Sequence, residues 1–307
     1  QMVMCDTIQK SGSDAAVIRI HNTSKAIAVT VDSSANYCKS FPLTGSKQIV
    51  CENWRNLISV GAKPLAITNC LNFGNPENEE IMGEFAECLE GIKEACEFLN
   101  YPVVSGNVSF YNGTNKKNIY PTPVIGGVGI INKLSSPISH KLKKDKSLLL
   151  LIGKTFGHIE QSCFLKENFS IIDGSPPEIN FFNEKNNGEA VLNIINLGLA
   201  NSVHDVSNGG LIVALSEMAM SSDYGIRIEK PKKIRNPIEY FFGEDQGRYI
   251  VEINKDNLIK VEKVLKKNDI YYELIGITQK KYFEIEGLIK LDINDLFKIN
   301  SRWYNQF

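Results

Sequence analysis

Strand-like and helix-like patterns of apolar residues alternate along the first part of the chain. Residues 15–21 and 26–31 have the composition of strands, and the turn residues 22–25 between them predict a hairpin. Residues 46–60 carry apolar side chains at helical spacing, and Gly61 is placed to end that helix. The pattern therefore predicts a hairpin followed by a helix that buries one face.

Two further apolar strands are predicted, and each opens into a polar segment rich in Gly and Asn. The first lies in residues 61–76, and the second is residues 102–104, directly before residues 105–112. Between them, Asn78 is placed to cap a helix that carries apolar residues at helical spacing as far as Leu99. We therefore expect both polar segments to be loops at strand ends.

Residues 132–146, rich in Ser, Pro and Lys, interrupt the apolar pattern in the way that is typical of a domain boundary. The domains predicted on either side are residues 1–135, which are strand-rich, and residues 145–307, an α/β unit. In this second domain the pattern predicts strands at 148–152, 249–253 and 272–277, helices at 188–199 and 209–220, and a packed tail at 296–307. The fold class is therefore α/β (α+β) with two domains.

The composition is that of an ordinary globular protein of 307 residues, long enough for roughly two domains. With 43% hydrophobic residues, 22% charged residues and a formal net charge of -1, the chain lacks the basic character that nucleic-acid binding requires. The longest apolar run, residues 148–152, is far shorter than the ~20 residues that span a bilayer, so no membrane association is predicted. No basic segment followed by an apolar stretch begins the chain, which favours a cytoplasmic location.

The seven cysteines fit neither a disulfide framework nor a zinc site, because their number is odd and no Cys-x-x-Cys pair occurs. No histidine is next to a cysteine in sequence, so a catalytic thiol is not indicated. We expect all seven to be reduced packing residues. They are Cys5, Cys38, Cys51, Cys70, Cys88, Cys96 and Cys163.

Residues 105–112, Ser-Gly-Asn-Val-Ser-Phe-Tyr-Asn, have the composition of a ligand site. A glycine between apolar and small polar residues lets backbone N–H groups approach a ligand closely. Asn107, Ser109 and Asn112 offer oxygens and donors to a phosphate or a metal ion, which suits a polyphosphate. Ordinary turn residues at a strand end have the same composition, so this run alone leaves both interpretations open.

Other motifs occur in a fixed order along the chain. They are segments 61–76 and 120–129, Gly-Ser-Asp-Ala-Ala-Val from residue 12, Val-His-Asp-Val-Ser-Asn-Gly-Gly-Leu from residue 203 and Phe-Gly-Glu-Asp-Gln-Gly-Arg-Tyr from residue 242. Together with residues 105–112 they closely resemble the second half of phosphoribosylformylglycinamidine synthase, the large subunit of purine biosynthesis. The resemblance covers nearly the whole chain.

This resemblance implies a two-domain fold like that of aminoimidazole ribonucleotide synthetase. In that fold a strand-rich N-terminal domain pairs with a partner domain to form a barrel, and a C-terminal α/β domain covers the nucleotide. Thiamine-monophosphate kinase and selenophosphate synthetase have the same layout, so the fold alone does not identify a substrate.

The family enzyme converts formylglycinamide ribonucleotide, ATP and glutamine-derived ammonia to the amidine, and such phosphoryl transfer depends on positioning and charge neutralisation. The resemblance implies that Gly106 contacts ATP, Asn107 helps to hold Mg2+ and Ser109 contacts the ribonucleotide. It assigns Asn69 to ATP, at a position where the family usually has aspartate. Asparagine keeps the hydrogen-bonding shape but loses the charge, which weakens a contact made through metal. The alternative is that Asn69 merely ends a strand.

Three aspartates and one lysine are further candidates for ligand binding. Asp14, Asp32 and Asp205 each lie at a predicted strand end or loop, and related enzymes bind magnesium and phosphate with such residues. Here the resemblance suggests a second, non-catalytic nucleotide site, related to the first by internal pseudo-symmetry. Lys47 is interpreted as a solvated residue near the start of its helix rather than as a phosphate ligand.

Several polar residues are left without a definite role. The segment from residue 205 to 210 precedes an apolar helix, which suits either a bound phosphate or a plain capping loop. The residues that fit either ligand contacts or solvated ion pairs are Glu244, Asp245, Gln246 and Arg248. Those expected to be surface or packing histidines are His140, His158 and His204.

The family's catalytic motif, His-Asn-His-Pro-Ser, has no counterpart here, so no catalytic residue is assigned. We interpret the chain as the C-terminal half of the ligase, inactive alone and completed by the missing N-terminal half and a glutaminase subunit or domain. Because its strand-rich domain lacks a partner, the isolated chain is expected to form a homodimer. The alternatives are a non-catalytic nucleotide-binding or docking module and another ATP-using superfamily member, such as aminoimidazole ribonucleotide synthetase.

Overall fold

The structure is a computed structural model that describes residues 7–9, 12–115, 117–134, 137–229 and 236–303. Cys5 and residues 304–307 of the predicted tail lie outside these ranges. Within them, no helix is long and apolar enough to cross a membrane.

The elements form two groups along the chain. The first group is β1 (Ala16–Arg19), β2 (Ala26–Asp32), α1 (Ala35–Ser40), α2 (Pro42–Ser59), β3 (Lys63–Asn72), α3 (Glu79–Leu99), β4 (Val103–Ser109), β5 (Gly113–Thr114), β6 (Lys117–Asn118) and β7 (Thr122–Ile131). The second begins with β8 (Leu148–Ile152), α4 (Cys163–Phe169), α5 (Phe181–Asn196), β9 (Ala200–Val206), α6 (Gly210–Met220), β10 (Gly225–Ile228) and α7 (Pro237–Phe242). It continues with β11 (Arg248–Ile253), a short 3-10 helix (Lys255–Asn257), α8 (Leu258–Lys267), β12 (Tyr272–Gln279), β13 (Tyr282–Ile285), β14 (Ile289–Asp292) and α9 (Ile293–Ser301).

Each group builds one large mixed sheet. The first sheet has the order β1-β2-β7-β3-β4, and only β3 and β4 run parallel. The second has the order β14-β13-β10-β12-β8-β11-β9, with β10 and β13 as its parallel pair. The α/β fold class predicted from the sequence is confirmed, whereas the domain limits 1–135 and 145–307 stay predictions.

Elements with strong local signals lie where the sequence predicts them. Strands β1 and β2 form the antiparallel hairpin. Gly61 follows α2 with a φ of 80°, which is the conformation that glycine adopts readily at a helix end. Asn78 caps α3, and its side chain accepts hydrogen bonds from the N–H groups of Glu80 and Ile81.

Strand β3 ends at Asn72 and opens into a loop that contains Gly74, Asn75 and Pro76, as predicted. Two other predictions about element limits are wrong. Residues 105–109 belong to strand β4 rather than to a loop, because the parallel ladder of β3 and β4 continues to Ser109. Helix α5 begins at Phe181, seven residues before the predicted start, since the side chain of Asn180 caps it. The tail is helical as far as the structure describes it, and Leu296 packs against the second apolar cluster, in agreement with the predicted packed tail.

Helix α2 lies between the two groups of elements and joins their cores. One face packs on the first sheet and α3, and another packs on α5 and β9. A single apolar cluster therefore runs from Ile67 through Trp54 to Val191 and Val251. A second cluster fills the other face of the second sheet, under α6.

The contact between α2 and α5 requires a glycine. A Cβ atom at Gly188 would lie 2.1 Å from Cζ3 of Trp54, which is 4% exposed and cannot move away into solvent. Gly188 therefore allows an indole ring to pack directly against a helix backbone.

We expect Gly188→Ala to lower the midpoint of urea unfolding, because overpacking of this kind costs about 1–3 kcal/mol. Gly83 is the matched control, since it lies inside α3 and a Cβ atom there would meet nothing within 4 Å. Gly83→Ala should raise the midpoint, because alanine is the better helix former by ~1 kcal/mol. A stabilising effect of Gly188→Ala would contradict the packing argument.

Candidate functional site

The first candidate site is the pair of parallel strands β3 and β4. Asn69 pairs with Gly106, Cys70 with Asn107 and Asn72 with Ser109. The structure therefore brings together all the residues that the sequence assigned to ATP, magnesium and the ribonucleotide. Strand β4 is the edge of the sheet, so ligands can approach it from the side.

Side chains along β3 and β4 alternate between the two faces of the sheet, so Asn69 points to one face and Asn107 to the other. Asn69 shares its face with Ile67 and Leu71, which are buried beneath the helices. Asn107 shares the other face with Cys70, whose Sγ atom lies 4.0 Å from Nδ2 of Asn107. Within the described residues no helix covers this other face, which we call the open face, and Val31 and Val128 are exposed on it.

The side chain of Asn69 leaves no room for a side chain at position 106. A Cβ atom at Gly106 would lie 1.9 Å from Oδ1 of Asn69. The amide of Asn69 thus occupies the space that any side chain at position 106 would need. The motif glycine has a packing reason inside the sheet, and the ATP contacts of both residues stay predictions.

Asn112 serves the local fold rather than a ligand. Its Nδ2 atom donates to the carbonyl oxygens of Phe73 and Ser109, each at 3.0 Å. The hydroxyl of Ser109 lies 3.2 Å from Oδ1 of Asn112 and is half-buried. Asn107, by contrast, is exposed and available.

The open face also carries apolar residues. Val31 is 65% exposed and Val128 is 38% exposed, on neighbouring strands of the sheet. Ile18 and Ile27 extend this surface across the hairpin. A row of exposed apolar residues on a sheet is typical of an interface.

The second candidate site is an acidic cavity of about 860 Å3 between the two domains. Asp14 precedes β1, Asp32 ends β2, Glu52 lies on α2 and Asp205 lies on β9, and all four line the cavity. The three aspartates singled out from the sequence are therefore brought together. Strand β7 separates Asp32 from Asn69, since Ile125 pairs with both, so the two candidate sites are distinct.

Amides from α2 hold Asp32 in place. Asn53 donates to its Oδ2 atom at 2.7 Å, and Asn56 donates to its Oδ1 atom at 2.8 Å. Sequence analysis missed these residues and Glu52, because they were assigned to an apolar helix. The sequence did contain a signal for them: Asn56 follows Asn53 by three residues and Glu52 by four, which places the three polar residues on one side of the helix.

Arg55 is the buried cation beside the cavity. It is 0% exposed, and its Nη1 atom lies 2.8 Å from Oε1 of Glu184. Its Nη2 atom donates to Gln246 at 2.8 Å, and its Nε atom lies 3.5 Å from Oδ2 of Asp205. Burial opposes the charge of Arg55, but Glu184 and Asp205 raise its pKa above the ordinary value.

Burial raises the pKa of three carboxyl groups of the cavity. The pKa of Asp32 is raised to about 6 against the hydrogen bonds from Asn53 and Thr30. Burial and the negative charge of Asp14 raise the pKa of Asp205 to about 7. Burial and the charge of Asp32 raise the pKa of Glu52 to about 8. These carboxyl groups therefore lose their protons at a higher pH than isolated carboxyl groups do, because burial and neighbouring negative charges disfavour their ionised forms.

His204 ion-pairs with carboxylates at the edge of this cavity. Its Nδ1 atom lies 2.6 Å from Oδ1 of Asp14, and its Nε2 atom lies 3.0 Å from Oε2 of Glu217. Burial opposes protonation, yet Asp14 and Glu217 raise the pKa of His204 well above its ordinary value. The expectation that His204 is a surface or packing residue is wrong, whereas His140 is buried as expected.

A divalent cation fits the acidic cavity. The Oδ2 atoms of Asp14 and Asp205 are buried and have no hydrogen-bond partner among the described residues. Polar atoms of Asp14, His204 and Asp205 lie within 4.8 Å of one another, and the two carboxylates would be the metal ligands, because both ring nitrogens of His204 face carboxylates as donors. Carboxylate oxygens are the ligands that magnesium prefers, and a cation would relieve their mutual repulsion.

The motif around residue 244 is structural. The side chain of Glu244 accepts hydrogen bonds from the Tyr37 hydroxyl and from the N–H groups of Cys163 and Gly209. Asp245 accepts from three successive N–H groups, of residues 156–158, and Arg248 is fully buried. The alternative of solvated ion pairs is wrong for Glu244, Asp245 and Arg248, which are buried, whereas ligand contacts stay a prediction.

Two other predictions need correction. Lys47 is ion-paired rather than simply solvated, since its Nζ atom lies 2.6 Å from Oε2 of Glu94, and its alternative role as a phosphate ligand stays untested. Cys70 is exposed and is not a packing residue, unlike Cys38, Cys51 and Cys88.

Comparisons with known proteins agree with this architecture. Residues 12–131 match the family model of the AIR synthase related protein, N-terminal domain, and residues 146–286 match the model of its C-terminal domain. The phosphoribosylformylglycinamidine synthase subunit PurL of Pelagibacter ubique (strain HTCC1062) is 53% identical over 305 residues, which are 99% of this chain and 42% of that protein. The chain spans about two fifths of the length of the curated relatives it matches.

Solved structures share the fold. T. maritima PurL complexed with FGAR superposes with a TM-score of 0.77 at 16% identity, over 95% of this chain and 49% of that one. The same protein complexed with ATP gives a TM-score of 0.74 at 17% identity, over 92% and 46% of the two chains.

We expect the thermal midpoint of the metal-free chain to fall by a few degrees between pH 5 and pH 8. The pKa of Asp32 is about 6 in the folded chain against an ordinary 3.8, so the folded state binds the proton more tightly. The pKa values of Asp205 and Glu52 are raised in the same sense. Stability is therefore lost as pH rises through each interval, and the raised pKa of His204 acts in the same direction.

The check is thermal unfolding followed by circular dichroism across this pH range. Asp205→Asn should flatten the dependence, because it removes one of the groups whose pKa is raised. Asp256→Asn is the matched control, since Asp256 is exposed and lies far along the chain in the 3-10 helix. A thermal midpoint that rises with pH would contradict the raised pKa values of these carboxyl groups.

Proposed function

Because the chain belongs to the AIR synthase related protein family, we propose that it is the C-terminal half of an ATP-dependent carbon–nitrogen ligase. The reaction is the conversion of formylglycinamide ribonucleotide, ATP and glutamine-derived ammonia to formylglycinamidine ribonucleotide. The 53% identity to a PurL subunit over nearly the whole chain supports this choice within the family. The chain's share of its relatives' length supports the assignment as one part of a larger enzyme.

The observation that carries the proposal is the alignment of four predicted ligand residues on β3 and β4. Asn69 and Gly106 are direct partners, and Asn107 and Ser109 follow on the same edge strand. In the proposed site Asn69 and Gly106 contact ATP, Asn107 holds Mg2+ and Ser109 positions the ribonucleotide. The side chains of Asn107 and Ser109 point to the open face and that of Asn69 to the other face, so the proposed site lies at the edge of the sheet, where β4 can be approached from the side.

The donors near Asn107 fit magnesium as a shared ligand. Its neighbours on the open face are Cys70, Ser105 and Thr68, and none is a carboxylate. Magnesium often takes only one or two protein oxygens when phosphates supply the others. When bound there, the ion neutralises the charge of the phosphates that the strands position.

The proposed partners are the missing N-terminal half and a glutaminase subunit or domain. The open face carries both Asn107 and the exposed residues Val31 and Val128, so one partner surface would cover the apolar row and complete the site. The glutaminase would supply ammonia.

A second candidate function is nucleotide binding in the acidic cavity. Among the described residues, the buried Oδ2 atom of Asp14 has no hydrogen-bond partner and that of Asp205 has only a 3.5 Å ion pair with Arg55. These oxygens favour a bound cation, and a metal-bound polyphosphate would bring one. We propose that this second site stabilises the fold rather than catalyses, since Arg55 and His204 already pair with its carboxylates.

We expect Asn107→Ala in the intact enzyme to raise the Mg2+ concentration for half-maximal turnover about tenfold. The measurement is ATP-dependent amidine formation over a magnesium titration. Asn193→Ala, on the exposed side of α5, is the matched control and should change nothing. Unchanged magnesium dependence in Asn107→Ala would refute the metal role, and full-rate turnover by the chain alone would refute its assignment as a half.

We expect the isolated chain to dimerise through its open face and to remain dimeric at micromolar concentration, if the pair buries more than ~1,000 Å2. Val128→Asp introduces a charge on the central strand of the sheet and should give a monomeric mass in sedimentation equilibrium. Leu197→Asp, at an exposed apolar residue next to α5, is the control and should stay dimeric. A monomeric wild-type chain would contradict this prediction.

A further inference from the structure

Helix α9 contributes residues to the lining of the acidic cavity. The matched family model ends at residue 286, and α9 runs from Ile293 to Ser301 beyond it. Phe297 and Asn300 of this helix line the cavity together with Met220 of α6. The family match therefore does not define this part of the lining.

The helix is oriented by two anchoring residues. Ile293 and Leu296 pack against the second apolar cluster, beneath α6. Spacings of three and four residues place Phe297 and Asn300 on the same side of the helix as these anchors. Ile299 lies at the margin of this side, is 71% exposed and does not line the cavity.

Phe297 is an aromatic residue that lines the cavity and is exposed to solvent. It is 53% exposed although it lies on a helix that packs against the protein. Hydrophobic side chains of this size are usually withdrawn from water on the packed side of a helix. An exposed aromatic ring on a cavity wall is therefore available to stack on a flat ligand.

The cavity combines two kinds of lining. Asp14, Asp32 and Asp205 suit a metal-bound polyphosphate, and in the part of the chain that the structure describes the buried Oδ2 atoms of Asp14 and Asp205 have no hydrogen-bond partner. Val29, Met220 and Phe297 supply an apolar lining in the same space. A nucleoside polyphosphate presents both chemistries, and about 860 Å3 lies within the range of small-molecule sites.

We propose that Phe297 determines specificity in this second site by stacking on the base of a nucleoside polyphosphate, while Asn300 hydrogen-bonds to the edge of that base. The metal-bound phosphates lie at the aspartates. This inference rests on the proposed nucleotide binding in the cavity, to which it adds the recognition of the base.

The test compares two probes, magnesium ATP and magnesium tripolyphosphate, by isothermal titration calorimetry on the full chain. Phe297→Ala should weaken magnesium ATP about tenfold, since loss of a base–aromatic stack has effects of this size, and leave tripolyphosphate unchanged. Phe297→Trp should retain ATP affinity. Ile299→Ala, on the same helix but outside the cavity lining, should match the wild type with both probes.

Asp32→Asn identifies cavity binding, because it should weaken both probes. If neither probe binds the wild type, or Asp32→Asn leaves both unchanged, the proposed second site fails, and the inference fails with it. If both probes bind in the cavity and Phe297→Ala leaves magnesium ATP unchanged, only the role of Phe297 fails. Equal weakening of both probes by Phe297→Ala would also overturn it, since a stacking residue acts on the base alone.

Discussion

The buried guanidinium of Arg55 sets the electrostatics at the junction of the two domains. A charge with no exposure to water must be paired, and Arg55 finds its partners on α5, β9 and the segment before β11. Its position on α2 places positive charge directly behind the carboxylates of the cavity. Arg55 therefore joins these elements and offsets part of the negative charge of the acidic cavity.

The sequence predicts the elements whose signals are local. Asn78 is a recognisable cap, the run Leu148–Ile152 has the length of a buried strand, and the hairpin has turn residues between its strands. Each of these depends on neighbours in the chain, so no knowledge of tertiary contacts is needed. The two-domain α/β class follows from such elements in order.

The remaining features depend on contacts between distant residues. The ladder between Asn69 and Gly106 joins strands separated by α3, so the polar composition of each segment alone indicated a loop. The cavity was predicted only through its aspartates, because Glu52 and Asn56 lie on a helix whose other residues are apolar. The structural use of Glu244 and Asp245 is likewise set by backbone N–H groups from distant segments.

Helix α2 has a consequence for how such proteins can diverge. Because Trp54 sits against the backbone of α5 at Gly188, the two cores share one set of complementary surfaces. If relatives exchanged C-terminal domains, the indole ring of Trp54 would clash with the new helix unless that helix also had a glycine at the position of Gly188. The boundary that is easiest to see in the sequence is therefore not one at which the chain can recombine freely.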